Sequence, residues 1–428
     1  MSVSPSIADP TQRLTYIVEM MREISRQNDP QQVVQTYMKK IGKLIPTDAT
    51  LSLSRRDLVY PYYHITRSSR WGKDAVNPWK SPEQLPLMHG GLLAELLYGD
   101  EPRIIDHLEV ADDDPAIEYL RGHHSLLSIP LFDQGHALNM VIAMRSEPAA
   151  FEPDSLPERI WMSNLFGRAT QTLVLSEQLR EANEILEREL QVVADIQHSL
   201  LPEKLPHIPT LELAVDYKTS RYAGGDYYDC FHLPDGRWGF LIADVAGHGT
   251  PAAVIMAVTH SIAHADRHPP EPPSRLISFL NQRLAANYTN GNGKFVTAFY
   301  GIYDPKNRTF TYANAGHNPP RHKRHGASVI GSLEAAINLP LGIEPDETYC
   351  DITQTLQVGD TLVLYTDGIT EARRPQGELF SQERLDQVLL KTNGDAHHLL
   401  KSILNSVEDF TGGAAPNDDR TLLIAKVK

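Results

Sequence analysis

The sequence predicts an α+β protein in which packed antiparallel sheets flanked by helices form the C-terminal half. Three observations support this fold class. Short apolar strands alternate with a pair of helical segments after about residue 205, as in sheets covered by helices. Residues 168–201 contain neither glycine nor proline, which favours one long helix. Earlier in the chain, helical segments precede a β-hairpin. We therefore predict three parts, residues 11–167, 168–204 and 205–428.

Composition narrows the class of protein. The 428 residues are 41% hydrophobic and 22% charged, enough for two or three domains with their own cores. No stretch approaches the ~18 apolar residues of a membrane span, and residues 1–14 lack the apolar segment of a secretory signal. Cys230 and Cys350 are too far apart in sequence for a disulfide framework, so we expect a reducing cytoplasm. The net charge of −14 argues against nucleic acid as a partner.

The first part has the pattern of a mixed α/β sensory domain. Amphipathic segments cover residues 14–24 and 33–45. Two apolar runs, residues 125–132 and 137–144, are joined by a short turn that contains Gly135. Such runs predict a β-hairpin.

The second part has an apolar stripe with a period of 3.5 residues. Seven of the eight positions with 4-3-4-3 spacing are apolar, in the series Leu175, Leu179, Ala182, Leu186, Glu189, Val193, Ile196 and Leu200. This stripe predicts a coiled coil or a helix packed on a partner helix, ~50 Å long and ended by Pro202. A surface helix packed on one domain is the alternative. A parallel dimer connector is favoured because the segment joins two domains of different composition.

The third part contains six strand candidates and two helices. The strands are predicted at residues 211–217, 238–244, 295–303, 309–313, 361–366 and 421–427. One helix is expected to begin at Pro251 with Thr250 as its cap, and a second to cover residues 273–288.

Four aspartate-bearing turns lie beside these strands. They are Gly224-Gly-Asp226-Tyr-Tyr-Asp229, Asp244-Val-Ala-Gly-His-Gly249, Tyr365-Thr-Asp367-Gly368 and Asn417-Asp418-Asp419-Arg420. Each alone is compatible with an ordinary turn or a helix cap. An aspartate at the end of a buried strand costs several kcal/mol unless its charge is compensated, and a metal ion would compensate it. Together the four turns predict a site for Mg²⁺ or Mn²⁺, which prefer oxygen ligands.

One histidine motif could form a site for a softer metal ion than Mg²⁺ or Mn²⁺. His260, His264 and His268 recur every four residues. We favour a solvated helix end, where protonated histidine suits the helix dipole, over a metal site.

Phosphomonoester hydrolysis is the natural reaction for an acidic metal site. Two divalent ions ~3.5–4 Å apart can share a water, lower its pKa and neutralise phosphoryl charge. Other phosphatase chemistries lack their residues. Neither cysteine has an arginine six positions later, and the Asp112–Asp114 pair does not follow an apolar strand. A Walker A loop and a His-Glu-x-x-His helix are also missing from the sequence.

The motifs resemble, in family order, the SpoIIE-like branch of the PPM (phosphatase 2C-like) phosphatases. The resemblance covers about residues 190–428. Besides the four acidic turns, it includes the lead-in Glu189-Leu-Gln-Val-Val-Ala-Asp-Ile-Gln-His-Ser-Leu-Leu-Pro202 and the block Ala313-Asn-Ala-Gly-His-Asn-Pro-Pro320.

The resemblance implies a ligand set for two divalent cations, Mn²⁺ or Mg²⁺. Asp226 and Asp244 would hold one ion with the Val245 carbonyl, and Asp244 would bridge to a second ion completed by Asp367 and Asp418. Asp419 is the alternative to Asp418, which is preferred because relatives often have asparagine at the position of Asp419. The family also implies two antiparallel sheets with flanking helices (the PPM fold), and phosphoserine or phosphothreonine substrates on STAS-domain anti-anti-sigma proteins.

Two histidines are weighed for roles near the site. His248 is the candidate catalytic acid for the leaving alkoxide, since histidine titrates near neutral pH; a purely loop-shaping role is the alternative. His317 is expected to be structural or to line the cleft. The chain has Ala246 where serine is commoner in the family, and this branch lacks the phosphate-gripping arginine of eukaryotic relatives, so the phosphate contact is unassigned.

The first part resembles a GAF domain more loosely. The resemblance rests on Ser128-Ile-Pro-Leu-Phe132, the Gly135 turn and Val141-Ile-Ala-Met144, followed by a helix. It implies a domain that binds a small molecule or forms a homodimer. Together the resemblances imply a sensor-regulated phosphatase.

Two other functions have some support in the sequence. Gly224-Gly-Asp226 partly resembles the diguanylate cyclase signature, but Tyr227 stands where that signature has an acid. A non-catalytic scaffold that binds the same type of partner is the other alternative. The presence of all four metal-position acids argues against it.

Overall fold

The computed structural model describes residues 9–72, 76–266, 268–289 and 293–428. The chain divides into two compact units, Met1–Asn183 and Glu184–Lys428, and the division falls within one long helix. None of the described helices combines the length and apolar character needed to cross a membrane. The start of the chain, residues 1–8, on which part of the signal-peptide prediction rests, lies outside the described residues.

The first unit begins with two amphipathic helices that pack on each other, α1 (Pro10–Ile24) and α2 (Pro30–Leu44). Both start with a proline in the first turn behind an aspartate cap, and the Asp29 side chain accepts a hydrogen bond from the Gln32 N–H. Their contact buries Met20, Tyr37 and Leu44, which confirms the two segments predicted from the amphipathic pattern.

The first unit is built on one six-stranded antiparallel sheet in the order β3-β2-β1-β6-β5-β4. Its strands are β1 (Ala49–Ser54), β2 (Tyr62–Ser68), β3 (Leu87–His89), β4 (Arg103–Ile105), β5 (Ser125–Asp133) and β6 (His136–Arg145). Two short helices, α3 (Gly91–Tyr98) and α4 (Ile117–Leu120), lie in the connections. The predicted hairpin is the β5–β6 pair, with Ile129 opposite Val141.

Helix α5 (Leu156–Ser199) begins earlier than the segment predicted from residue 168. Pro157 lies in its first turn, where proline is tolerated, and Gly167 continues the helix, so neither residue marks its start. The early part packs on the first unit: the Phe132 N–H donates to Asn164 Oδ1, and Phe166 stacks on Tyr37 with ring centroids 3.7 Å apart. The helix ends before Pro202, as predicted.

The second unit contains two sheets that are antiparallel except for the short β11–β14 pair. The first has the order β14-β11-β10-β9-β8, with β15 also paired to β11, and consists of β8 (Tyr227–His232), β9 (Trp238–Val245), β10 (Val296–Asp304), β11 (Thr309–Ala315), β14 (Ile337–Asn338) and β15 (Ile352–Thr355). The second has the order β13-β12-β16-β17-β7 and consists of β7 (Leu211–Lys218), β12 (Arg321–Lys323), β13 (Gly331–Ser332), β16 (Thr361–Tyr365) and β17 (Arg420–Val427). All six strand candidates are confirmed.

Helices cover the sheets of the second unit. They are α6 (Thr250–Ala263), α7 (Pro273–Leu284), α8 (Asp367–Thr370), α9 (Ser381–Lys391) and α10 (Ala396–Thr411). The predicted cap of α6 was wrong. Gly249 is the cap residue, at a φ of +76° that suits glycine, and Thr250 is already helical. The α-helix predicted over residues 273–288 ends at Leu284 and continues as a π-helical turn, Ala285–Thr289.

The two faces of β17 contribute to two separate hydrophobic cores of the second unit. Leu423 and Ala425 lie in the larger hydrophobic core, which joins the two sheets and includes residues of α6 and α7. Leu422 and Ile424 lie in a second core with residues of α9 and α10. The result is the packed pair of antiparallel sheets flanked by helices that the sequence predicts. Both cysteines are unpaired.

Candidate metal centre

Asp226 lies directly before strand β8 and is buried, with 1% of its surface exposed. The hydroxyls of Thr366 and Thr421 both donate to its Oδ2 at 2.7 Å. These threonines lie at adjacent ends of β16 and β17, where the Thr421 N–H also donates to Thr366 Oγ1 at 2.9 Å. One oxygen of Asp226 is therefore fixed by the opposite sheet, and Oδ1 is the oxygen that remains for a cation.

Asp244 lies one residue before the end of β9 and is partly buried. Burial, then the charges of Asp226, Asp367 and two further carboxylates, raise the pKa of Asp244 to about 9. The structure thus brings together carboxylates that are far apart in the chain, as the sequence predicts.

Burial and neighbouring carboxylates also raise the pKa values of Asp226 and Asp367. Burial raises the pKa of Asp226 to about 8, against the two threonine hydrogen bonds, which lower it. Burial and the charge of Asp418 raise the pKa of Asp367, at the start of α8, to about 6. Neither lysine nor arginine is among the main influences on these pKa values. The charged forms of these carboxylates are therefore poorly compensated by the chain itself.

Asp418 and Asp419 have different environments. Asp419 is buried, and its carboxylate accepts hydrogen bonds from the Ser220 N–H at 2.7 Å and the Gly225 N–H at 2.7 Å, and from the Ser220 hydroxyl at 3.1 Å. Asp418 is exposed, and its Oδ1 accepts a hydrogen bond from the Asp419 N–H; among the described residues none donates a hydrogen bond to its Oδ2. Asp419 thus holds the loop before Asp226, whereas Asp418 keeps an oxygen for a cation.

At three positions near the acidic residues, neighbouring atoms lie so close to the backbone that only glycine fits. A Cβ at Gly224 would lie 2.3 Å from an oxygen of Asp419, and one at Gly225 would lie 2.9 Å from the Val245 carbonyl oxygen. A Cβ at Gly368 would lie 1.9 Å from the Asp419 carbonyl oxygen. A side chain at Gly225 or Gly368 would therefore displace backbone beside the acidic residues, and one at Gly224 would displace the Asp419 carboxylate.

Sequence reasoning missed Gln197, near the end of α5. Its buried side-chain amide donates to the Gly224 carbonyl oxygen at 2.6 Å and accepts from the Gly224 N–H at 3.0 Å. The lead-in motif contains this glutamine, but no spacing or charge pattern distinguishes it. Thr366 and Thr421 were missed for the same reason, because hydroxyl residues at strand ends are common.

His248 and His317, the two histidines considered for roles near the site, lie in different environments. His248 is exposed in the loop between β9 and α6. His317 is buried; its Nδ1 lies 2.9 Å from Thr297 Oγ1, and its backbone forms two hydrogen bonds with the Asn314 side chain. Burial lowers the pKa of His317 to about 4, so its ring is neutral at physiological pH. These contacts agree with the structural role expected of His317.

The donor set fits hard divalent cations. Its carboxylate oxygens are the preferred ligands of Mg²⁺ and Mn²⁺, and their raised pKa values indicate uncompensated negative charge that a cation would neutralise.

The second unit is similar in sequence to known proteins. The profile of the family described as Stage II sporulation protein E (SpoIIE) matches residues 234–428. Phosphoserine phosphatase RsbU of Bacillus subtilis (strain 168) is 33% identical over 259 residues, which cover 58% of this chain and 73% of RsbU. Phosphoserine phosphatase RsbP of the same organism is 25% identical over 245 residues, which cover 56% of this chain and 58% of RsbP.

A solved structure has the same fold. The SiaA-PP2C domain of Pseudomonas aeruginosa superimposes with a TM-score of 0.50 at 18% sequence identity, over 58% of this chain and 98% of that domain. The fold and the matches define a metal-dependent protein serine/threonine phosphatase of the PP2C type. Within that class, the chain belongs to the SpoIIE family.

We expect Asp244→Asn to stabilise the cation-free protein by about 1–3 kcal/mol at pH 8, because the amide removes a poorly compensated carboxyl. A carboxyl with a raised pKa makes the folded state hold a proton that the unfolded state releases above its ordinary pKa of 3.8. The wild type should therefore lose stability as the pH rises from about 4 to about 9, and the variant should lose less. Urea unfolding in EDTA at pH 5 and pH 8 measures the difference.

The matched control is Asp235→Asn, since the Asp235 side chain is 75% exposed. It should follow the wild-type pH profile. Excess Mg²⁺ or Mn²⁺ should stabilise the wild type and this control much more than Asp244→Asn. Identical responses of all three proteins to pH and to cations would contradict the interpretation.

Proposed function

We propose that this chain hydrolyses phosphoserine or phosphothreonine on a regulatory protein at a centre of two divalent cations, Mg²⁺ or Mn²⁺. The ligands we assign are Asp226, Asp244, the Val245 carbonyl, Asp367 and Asp418. The observation that carries this proposal is the convergence of acidic residues at the strand ends around Asp226, which is buried and has one oxygen fixed by two threonine hydroxyls. Burial, followed by the charges of neighbouring carboxylates, raises the pKa of Asp244 to about 9, in keeping with such a centre. When bound, the cations would supply an activated water and neutralise phosphoryl charge.

The chain's own contribution to this reaction is positioning. The threonine pair fixes one oxygen of Asp226, and Asp419 fixes the loop that precedes it. Asp244 is presented by a strand and Asp367 by the first turn of α8. Ligands held by hydrogen bonds on regular elements need little rearrangement, which favours affinity and rate.

His248 is the residue we assign to protonate the leaving serine or threonine oxygen. It lies four residues after Asp244, between Gly247 and Gly249, and its side chain is exposed. A protein substrate that approaches from solvent can therefore reach it. Histidine is suited to proton transfer near neutral pH.

The substrate class we propose is a small STAS-domain regulator that carries a phosphorylated serine or threonine. The support is the family resemblance, together with the phosphoserine phosphatase relatives RsbU and RsbP.

Regulation through α5 is the second element of the proposal. Much of the stripe identified from the sequence is exposed, at Leu175, Leu179, Leu186 and Ile196. An exposed apolar stripe of this period favours a partner helix, so we propose a parallel homodimer. Gln197, beside that stripe, hydrogen bonds to the loop that presents Asp226, so movement of the helix would reach the metal centre.

The first unit is the sensory, GAF-like domain in this proposal. A cavity of about 1400 Å³ lies within it, between α2, the sheet and the first part of α5. Its wall includes Arg67, which donates to Gln31 Oε1 and lies 4.8 Å from the Trp79 ring. A space of this size can hold a small molecule, and we propose that such a ligand is the input.

Hydrolysis of p-nitrophenyl phosphate with Mn²⁺ or Mg²⁺ tests the centre without a protein substrate. Asp244→Asn and Asp367→Asn should each reduce kcat/KM by at least about 100-fold, roughly 2.7 kcal/mol of transition-state stabilisation. Asp235→Asn should retain wild-type activity. A folded Asp244 or Asp367 variant with full activity would remove that residue from the centre.

Asp418→Asn and Asp419→Asn test which of the two aspartates binds the cation and which one holds the loop before Asp226. Asp418→Asn should leave the free energy of unfolding within about 0.5 kcal/mol of wild type but raise the Mn²⁺ concentration needed for activity at least about 10-fold. Asp419→Asn replaces one acceptor oxygen by a donor and should destabilise the fold by about 1–3 kcal/mol. The reverse pattern, measured by urea unfolding and metal titration, would make Asp419 the ligand.

Val193→Asp and Ile196→Asp test the helical connection. Both place a charge on the proposed helix–helix contact and should yield a monomer by analytical ultracentrifugation, with phosphatase activity that no longer depends on protein concentration. Glu187→Ala, at an exposed position outside the stripe, is the control. Wild-type mass and wild-type rates in both aspartate variants would refute the regulatory role of the helix.

A further inference from the structure

A second group of potential ligands lies outside the acidic centre. It consists of Asp229 on β8 and two histidines, His260 on α6 and His264 at its C-terminal cap. One donor atom of each residue lies within 4.8 Å of the other two. Asp229 Oδ2 and His264 Nε2 are 2.6 Å apart, and the two imidazole centroids are 4.4 Å apart.

The strand and the helix place these residues together by their ordinary periodicities. Residues i and i+4 share a helix face, so both histidines face β8. On the strand, Tyr227, Asp229 and Phe231 alternate onto the side of α6. The Tyr227 ring lies 5.7 Å from that of His260, and the Phe231 ring 5.0 Å from that of His264. Cys230 takes the opposite face of the strand, so the donors are two imidazoles and one carboxylate.

Asp229 is held in a fixed orientation. It is buried, and the Tyr227 hydroxyl donates to its Oδ2 at 2.5 Å while the Cys230 N–H donates to its Oδ1 at 2.7 Å. Outer hydrogen bonds of this kind are typical of metal-ligating carboxylates.

We propose that Asp229, His260 and His264 form a binding site for Zn²⁺ or a similar borderline transition metal, with its remaining coordination position open to solvent. Tetrahedral Zn²⁺ has ligands at ~2.0–2.1 Å, which places donor atoms about 3.3 Å apart. The donor atoms lie between 2.6 Å, for Asp229 Oδ2 and His264 Nε2, and 4.8 Å of one another, a range that includes this value. Imidazole nitrogen favours such ions over Mg²⁺, which prefers the all-oxygen centre.

The position of the site indicates what the ion would do. Strand β8 begins directly after Asp226, and α6 begins directly after the loop that follows Asp244. An ion between Asp229 and the two histidines would therefore tie the C-terminal end of α6 to β8, the strand that directly follows Asp226. It would brace the two elements that follow Asp226 and the Asp244 loop in the chain.

The histidine run supplies a matched control. His268 continues the four-residue spacing but lies beyond the end of α6 and is absent from the ligand group. The sequence alone could not separate it from the other two.

Zn²⁺ and Co²⁺ titrations of the full chain in excess Mg²⁺ test this site. One tightly bound equivalent is expected, with a Co²⁺ visible spectrum typical of four-coordinate nitrogen and oxygen ligands. His260→Ala and His264→Ala should each weaken binding at least about 10-fold, whereas His268→Ala should bind as the wild type does. His264 is exposed, so its variant is expected to fold; circular dichroism checks this, and Asp229→Asn is the second ligand variant.

A variant of the acidic centre separates this site from the proposed function. Asp244→Asn should still bind the Zn²⁺ equivalent. Loss of the equivalent only in Asp244→Asn, or equal affinity in the wild type and all three ligand variants, would overturn the proposal. Neither outcome depends on whether the acidic centre hydrolyses phosphate.

Discussion

Repulsion among carboxylates in a partly buried space is the interaction on which the second unit depends. Asp226, Asp244 and Asp367 come from three separate strand ends, and burial together with the charges of neighbouring carboxylates raises the pKa of each. Their convergence is unfavourable without a positive partner. The fold tolerates it because two well-packed sheets fix the strand ends, with cores on both faces of β17.

Neutral groups support the charged ones throughout this region. Two threonine hydroxyls donate hydrogen bonds to Asp226, and the Gln197 amide forms hydrogen bonds with Gly224. The charged Asp419 accepts hydrogen bonds from neutral backbone N–H groups of the loop. Adjacent aspartates at 418 and 419 thus have separate tasks, one inside the fold and one facing solvent. The same division recurs at Asp229, which is oriented by a tyrosine hydroxyl and a backbone N–H.

The sequence predicted the longer elements and the acidic turns because each has a strong local signal. Short segments rich in apolar and aromatic residues identified the six strands, and aspartates beside them pointed to a shared site. Strand β8 was missed because Tyr-Tyr-Asp-Cys-Phe-His lacks alternation, its aspartate facing α6 instead of solvent. The threonine pair, Gln197 and the role of Asp419 depend on contacts between residues 27 to 199 positions apart, which no local pattern records. The start of α5 was missed because Gly167 and Pro157 are helix-compatible only in their particular contexts.

The paired hydrogen bonds between Gln197 and Gly224 make the end of α5 sensitive to its own rotation. An amide satisfies both backbone groups of one residue in the way a neighbouring strand would. Turning the helix by one residue, roughly 100°, would bring Ile196 to the glycine, and an aliphatic chain offers neither donor nor acceptor. Both hydrogen bonds would then be lost. Under the proposed regulation through α5, a rotation of this helix would therefore reach the loop before Asp226 by removing these two hydrogen bonds.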